Sequence, residues 1–178
     1  MWLAFVVVWL VGAARAKPTE WRENIRSRLS YSVLTVVAVL LVFSHIWEYS
    51  WLQYPLSSPS QLLSVAGLAL TAAGLGIAVW ARLYIGSNWS GSVTLKVGHQ
   101  LMKSGPYRFV RHPIYSGLLL AIAGTALTNL RLRSVIGLVC LWVSFQIKSR
   151  IEERLMQQTF GPEYTAYKQE TGALLPKF

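Results

Sequence analysis

Long apolar runs separated by short polar connections organise this chain. MWLAFVVVWLVGAARA opens it, and comparable runs recur at roughly 31–51, 61–83, 113–130 and 133–150. A bilayer core takes about 20 apolar residues as helix, fewer where Trp and basic residues flank the ends, so all five runs are read as membrane spans. The first ends in Ala-x-Ala like a signal peptide, but no basic residue precedes it and several follow, so it is kept as a span. In the third, Ala69, Ala72, Ala73 and Gly76 have small-xxx-small spacing and are the expected helix-packing face. QYPLSSPS at 53–60 is a Pro/Ser turn. The last run keeps its helical pattern past its apolar part to Phe160, with Gly161 as C-cap and Pro162 as the stop, about 42 Å in all. That length projects the helix beyond the bilayer.

Basic residues then set the topology. One group lies around the 16–30 connection (Arg15, Lys17, Arg22, Arg26, Arg28), one in 82–112 (Arg82, Lys96, Lys103, Arg108, Arg111), and one in the tail (Lys148, Arg150, Arg154, Lys168, Lys177). Only Arg131 and Arg133 fall elsewhere, so fifteen of seventeen basic residues share one side when the span number is odd. The expected fold is therefore an all-α polytopic membrane protein of about five transmembrane helices, N-terminus outside and C-terminal helix extending into the cytoplasm. It forms a single membrane domain over 1–178, with N-terminal spans in 1–81 and a catalytic half in 82–178.

Composition narrows the chemistry. The 178 residues are 53% hydrophobic with eight Trp, and only 13% are charged. A net charge of +10 points to headgroup contacts rather than nucleic acid, because no soluble basic face remains to hold a duplex. There is no Asp, and seven Glu supply every carboxylate, which argues against multi-carboxylate metal sites and Asp-based triads. No metal is expected. Cys140, the single cysteine, lies inside an apolar run and reads as a small buried hydrophobe.

Two polar clusters stand out. In GPYRFVRHPIYSG (105–117), Pro113 suits the first position of a helix, with His112 near the cap. Unpaired N–H groups of that first turn, with Arg108, Arg111 and His112 beside them, make a natural receptor for a small carboxylate or phosphate. Arginines anchoring the helix at phospholipid headgroups are the other reading. In KSRIEERLMQQTFGPEY, Lys148 and Glu152 lie one turn apart on one helix face, while Arg150 and Arg154 share another.

These residues carry a resemblance. GHQLMKSGPYRFVRHPIYSG, the pair Glu152 and Glu153, and FGPEYTAYKQETGALLP resemble the integral-membrane S-adenosylmethionine-dependent methyltransferases that include isoprenylcysteine carboxyl methyltransferase and the phospholipid methyltransferases, over roughly 82–176. The resemblance implies a cytoplasmic cofactor pocket for S-adenosyl-L-methionine lined by His99, Gln100, Leu101, Met102, Tyr107, His112, Pro113, Ile114, Tyr115 and Glu152. It also implies catalytic candidates. Lys148 stands where carboxyl-methylating members carry a substrate-binding Arg, keeping the charge but losing the bidentate fork, which Arg150 would supply instead. Glu153, or Glu152, is the candidate base if the acceptor is an amine.

The implied activity is methyl transfer to a lipophilic acceptor entering from the bilayer, foremost the carboxylate of an isoprenylcysteine-like substrate. A phospholipid amine or a thiol is the alternative acceptor. Two other classes remain: an NADPH-dependent sterol-type reductase, which has a similar H-P-x-Y element, and a non-enzymatic carrier using His45 and Glu48. The absence of a soluble targeting domain is read as a prokaryotic plasma membrane.

Overall fold

The computed structural model describes residues 1–13, 17–58 and 60–177. Among the described residues there are six α-helices: α1 (Trp2–Ala13), α2 (Ile25–Phe43), α3 (Gln61–Ile85), α4 (Pro113–Thr128), α5 (Leu132–Phe160) and α6 (Pro162–Glu170). Three stretches are long and apolar enough to cross a membrane: Ile25–Phe43, Leu132–Phe160, and Gln61–Asn88, which is α3 with the 3₁₀ turn after it. Helices α1 and α4 are apolar but shorter. Arg15, one of the topology-setting cations, lies outside the described residues.

The second helix starts and ends earlier than the apolar run predicts. Its start is fixed by Asn24, whose side chain accepts from Ser27 N at 2.7 Å, an N-cap that the hydropathy of the run conceals. Its end is fixed from outside: the Arg133 guanidinium donates to Leu41 O at 2.9 Å and Ser44 O at 3.2 Å, satisfying carbonyls the helix leaves open. Residues 44–53 therefore leave the helix. His45 and Glu48 form an exposed hydrogen-bonded pair at 3.1 Å there, not an intramembrane path.

Helix α5 runs as expected through Phe160, and Gly161 at φ 50° ends it. Pro162 stops α5 by starting another helix, since a residue without N–H suits the first position of α6.

The tightest helix contact joins α3 to α4. A Cβ on Gly74 would lie 2.4 Å from Ala121 N, and one on Gly117 2.6 Å from Gly74 O, so backbone meets backbone. The packing face is Gly67, Thr71, Gly74 and Ala78, not the predicted one. Ala69, Ala72, Ala73 and Gly76 are exposed, and a Cβ at Gly76 would meet nothing within 4 Å. Thr71 Oγ donates to Gly67 O at 2.8 Å, which keeps the hydroxyl inside the contact satisfied.

A second seam joins α2 to α5 through Ala38, Val42, Leu141 and Phe145, with Ser144 Oγ donating to Tyr31 O at 2.8 Å.

Connections segregate to two ends. At one end Pro55 bridges Arg131, and Leu56 N donates to Leu130 O at 2.9 Å. At the other end the three basic regions converge. A short antiparallel ribbon pairs β1 (Thr19–Arg22) with β2 (Thr94–Lys96), an addition to the all-helical expectation, and the tail runs beside 110–112. Arg82 belongs to this end, yet it is 3% exposed with its guanidinium 4.3 Å from the Trp89 ring, so it is no headgroup contact.

Candidate functional site

Where the basic connections meet, the end of α3, the 88–102 segment, the start of α4, the 152–156 stretch of α5 and α6 enclose a cavity. It holds about 870 Å³ free of protein atoms, part of it open to the exterior. His99, Gln100, Leu101, Met102, Tyr107, His112, Pro113, Ile114, Tyr115 and Glu152 all line it, although 53 residues separate the first from the last. Helix α5 reaches the cavity only because it runs on past its apolar part.

The polar wall is built by His112, Tyr115 and Glu152. Tyr115 donates to Glu152 Oε1 at 2.6 Å, and His112 Nδ1 lies 3.3 Å from Glu152 Oε2. The His112 and Tyr115 rings stack at 5.4 Å and 5°, and Tyr115 stacks in turn on Phe145 at 4.6 Å. One carboxylate thus joins α5 to the first turn of α4 while keeping a place on the cavity surface.

The helix start itself is not the open anion receptor that its sequence suggests. Arg111 N donates to Gly172 O at 2.9 Å, His112 N to Ala173 O at 3.0 Å and Ser116 Oγ to Leu174 O at 2.6 Å. The C-terminal tail therefore takes the two N–H groups just ahead of the helix and the Ser116 hydroxyl, while Tyr115 N and Ser116 N turn back to His112 O. Arg108 points away, exposed over the Phe109 ring.

The catalytic candidates separate. Lys148 is 8% exposed, one turn deeper than Glu152; its ammonium donates to Gly91 O at 2.7 Å and lies 5.3 Å from the Tyr31 and Tyr115 ring centres. Arg150, the candidate for the missing fork, lies apart from Lys148. Two residues along a helix is a turn of about 200°, and Arg150 accordingly faces outward, exposed and without an ion pair among the described residues. Glu153 lies outside the cavity lining and is a clamp: it accepts from Arg111 Nε at 2.8 Å and lies 3.6 Å from Lys168 Nζ. His112 Nε2 approaches it at 3.4 Å without the alignment of a hydrogen bond.

Burial lowers the proton affinity of His112, but its contacts with Glu152 and Glu153 outweigh burial and move its pKa above the ordinary imidazole value. For His99 the direction is downward, from burial and then the nearby Lys17 and Lys96, so this ring is neutral near pH 7. A raised folded pKa makes the His112 contribution to stability complete below about pH 6.5 and lost as pH rises through the folded value. We expect the melting temperature of wild type to fall relative to His112→Gln across that rise. A constant difference between the two would exclude the linkage.

Several lining residues escape the sequence reading. Asn88, Trp89 and Thr94 come from GSNWSGSVTLK, a small and polar stretch after an apolar span, whose aromatic was the available signal. Tyr164 and Tyr167 sit three apart on α6, and Tyr167, pushed up to about 12 by burial, donates to Tyr107 O at 2.6 Å. Buried polar atoms without protein partners belong to three lining residues whose contacts are otherwise open: Asn88 Oδ1, Thr94 Oγ1 and His99 Nδ1. Such atoms need a ligand's polar groups or water.

Apolar helices of membrane-crossing length carrying one polar cavity at their basic end define a membrane protein with a site for a polar small molecule. The Phospholipid methyltransferase family profile matches residues 62–163, and the chain belongs to that family. It is 30% identical over 150 residues to the protein-S-isoprenylcysteine O-methyltransferase of Saccharomyces cerevisiae, covering 83% of this chain and 61% of that protein. It is 31% identical over 148 residues to the cobalt-zinc-cadmium resistance protein CzcN of Cupriavidus metallidurans, covering 82% of this chain and 61% of that one. The chain thus spans about three fifths of these relatives' length. Among solved structures, the eukaryotic intramembrane Ras methyltransferase, isoprenylcysteine carboxyl methyltransferase, superposes with a TM-score of 0.59 at 27% identity, covering 84% of this chain and 50% of that chain.

Proposed function

We propose that this protein is an integral-membrane methyltransferase that uses S-adenosyl-L-methionine to methylate the carboxylate of an isoprenylcysteine-like amphiphile. The observation that carries the reading is the convergence of His112, Tyr115 and Glu152 on one cavity wall, together with the orphaned polar atoms of Asn88, Thr94 and His99. That donor and acceptor set fits the cofactor. Glu152 is suited to its amino group or ribose hydroxyls, the neutral His99 and Asn88 to further polar edges, and Trp89 and Met102 to apolar surface. When bound, the cofactor supplies an electrophilic methyl on a sulfonium.

The chain's own residues favour a carboxylate acceptor over an amine. An amine must lose a proton, and Glu153, the candidate base, is already paired with Arg111 and Lys168. A carboxylate is already ionised at neutral pH and asks only for positioning, which contributes on the order of 7–11 kcal/mol in good geometry. Lys148 lies just behind the lining residue Tyr115, keeps two N–H donors beyond the one given to Gly91 O, and is the group to hold that anion.

The five apolar helices cross the bilayer with the N-terminus outside and the cavity on the cytoplasmic side, where the positive-inside rule puts the three basic regions. Helices α1 and α4, about 18 and 24 Å long by residue rise, are short for a full crossing. The end of α1 lies against the 82–112 connection, where Trp9 packs on Trp89 and a Cβ on Gly12 would meet the Arg82 guanidinium, which supports a cavity close to the lipid. The setting is a prokaryotic plasma membrane, with the acceptor arriving sideways from the bilayer.

Calorimetric titration in lipid nanodiscs tests the cofactor: S-adenosylhomocysteine should bind and NADPH should not. Labelled S-adenosylmethionine should then transfer label to N-acetyl-S-farnesylcysteine in preference to phosphatidylethanolamine. Binding of NADPH alone, or label in the amine only, would overturn the respective half of the proposal.

A further inference from the structure

The family match begins at residue 62, yet of two buried residues before it Glu23 contacts the cavity-lining Val93 and Tyr31 faces Lys148. We propose that Glu23 and Tyr31 are positioning residues that hold the Lys148 ammonium and the 91–93 wall in register for the acceptor, an inference that rests on Lys148 being the acceptor's cation.

Glu23, at the junction of β1 and α2, is 7% exposed. Its Oε1 accepts from the Tyr31 hydroxyl and, at 3.0 Å, from Val93 N; its Oε2 accepts from Ser27 Oγ at 2.7 Å. Its own N–H donates to Val93 O at 3.1 Å. Tyr31 is 4% exposed, and its ring faces Lys148 Nζ at 5.3 Å, with Tyr115 at the same distance. The segment that walls the cavity is therefore clamped twice, at Val93 by Glu23 and at Gly91 by Lys148.

A buried ammonium without a directly contacting carboxylate needs other compensation, and two ring faces and a carbonyl provide it. Hydrogen bonding to a carboxylate fixes the Tyr31 phenol and so fixes one of those faces. Two ammonium N–H groups then keep a constant direction. With Tyr31 untethered the ring, the ammonium and the 91–93 wall gain alternative positions, and the acceptor anion meets a disordered donor. The cofactor wall shares Tyr115 with this cation, but His112, Tyr115 and Glu152 are locked to one another by the Tyr115–Glu152 hydrogen bond and the His112–Tyr115 stack, neither of which involves Tyr31, so that wall should hold its place.

The test uses the full chain in nanodiscs loaded with S-adenosylhomocysteine, with N-acetyl-S-farnesylcysteine as the acceptor probe. Tyr31→Phe keeps the ring and removes the tether; it should weaken probe binding about tenfold while S-adenosylhomocysteine affinity stays within about twofold. Glu23→Gln, close in shape but uncharged, should shift in the same direction by less. Adding Tyr31→Phe to Lys148→Met should cost nothing further, because both act on one cation. Additive losses, or cofactor and probe affinity falling together as a merely structural role requires, would overturn the inference. Normal probe binding in Tyr31→Phe overturns it alone, whereas a wild-type protein that ignores the probe overturns the acceptor reading and this inference with it.

Discussion

Gly117→Leu should leave almost no monodisperse protein. At this position even a Cβ would stand 2.6 Å from Gly74 O and 2.7 Å from Ala78 N, and both obstacles are backbone atoms of α3 that no rotamer change can move. Overpacking a core ordinarily costs about 1–3 kcal/mol, and here the two helices must part along the seam that also buries Thr71 and Gly124, so the upper end of that range is a lower bound. The expected result is aggregation in size-exclusion chromatography, with any residual monomer melting far below wild type. Gly76→Leu is the control. Its Cβ would meet nothing within 4 Å, and leaving Gly inside a helix recovers up to about 1 kcal/mol of propensity, so this variant should melt at or above wild type. If the two substitutions behave alike, the α3–α4 contact is not what holds the cavity's elements together.

That pair of glycines also marks where sequence and structure part. Apolar runs and basic connections announced the helices and the segregation of charge to one end, because hydropathy and the positive-inside pattern are one-dimensional signals. Which face of α3 packs is not such a signal: Ala69, Ala72, Ala73 and Gly67, Thr71, Gly74 have almost the same small-residue spacing on a helix apolar all round, and only the partner helix chooses. Helix ends were misjudged for a similar reason. The end of α2 is capped by Arg133, 89 positions beyond Ser44, and the N–H groups just ahead of α4, with the Ser116 hydroxyl, are taken by tail carbonyls some 58 or more positions away. Residues of the cavity wall such as His112, Tyr115 and Glu152 were legible through a resemblance in an ordered motif. Glu23, Tyr31 and Asn88 carry no local signature, and only the fold brings them in.

Glu152 and Glu153, adjacent in sequence, should fail in different ways. Glu153 sits among Arg111, His112 and Lys168 with its side chain 15% exposed, and Arg111 beside it is only 9% exposed. Glu153→Gln removes the charge that compensates a buried guanidinium, and breaking such a pair from one side costs about 3–5 kcal/mol. Arg111 also donates to the carbonyls of Lys168 and Thr171, so the loss should extend to the tail strand and loosen residues 171–174. A large drop in melting temperature is expected, with S-adenosylhomocysteine affinity near normal in the molecules still folded. Glu152→Gln keeps a carbonyl oxygen to accept from Tyr115 and leaves the Arg111 clamp untouched, losing only its share of the His112 pairing, so the melt should fall clearly less than for Glu153→Gln. What it removes is an ionised acceptor on the cavity surface, and hydrogen bonds to charged groups contribute about 1.5–3 kcal/mol, equivalent to about a ten- to hundredfold loss of cofactor affinity. Parallel melting curves and calorimetric titrations of the two variants separate these outcomes. An unstable Glu152→Gln with intact affinity, or a stable Glu153→Gln that no longer binds, would exchange the roles assigned here and move the cofactor to the other side of His112.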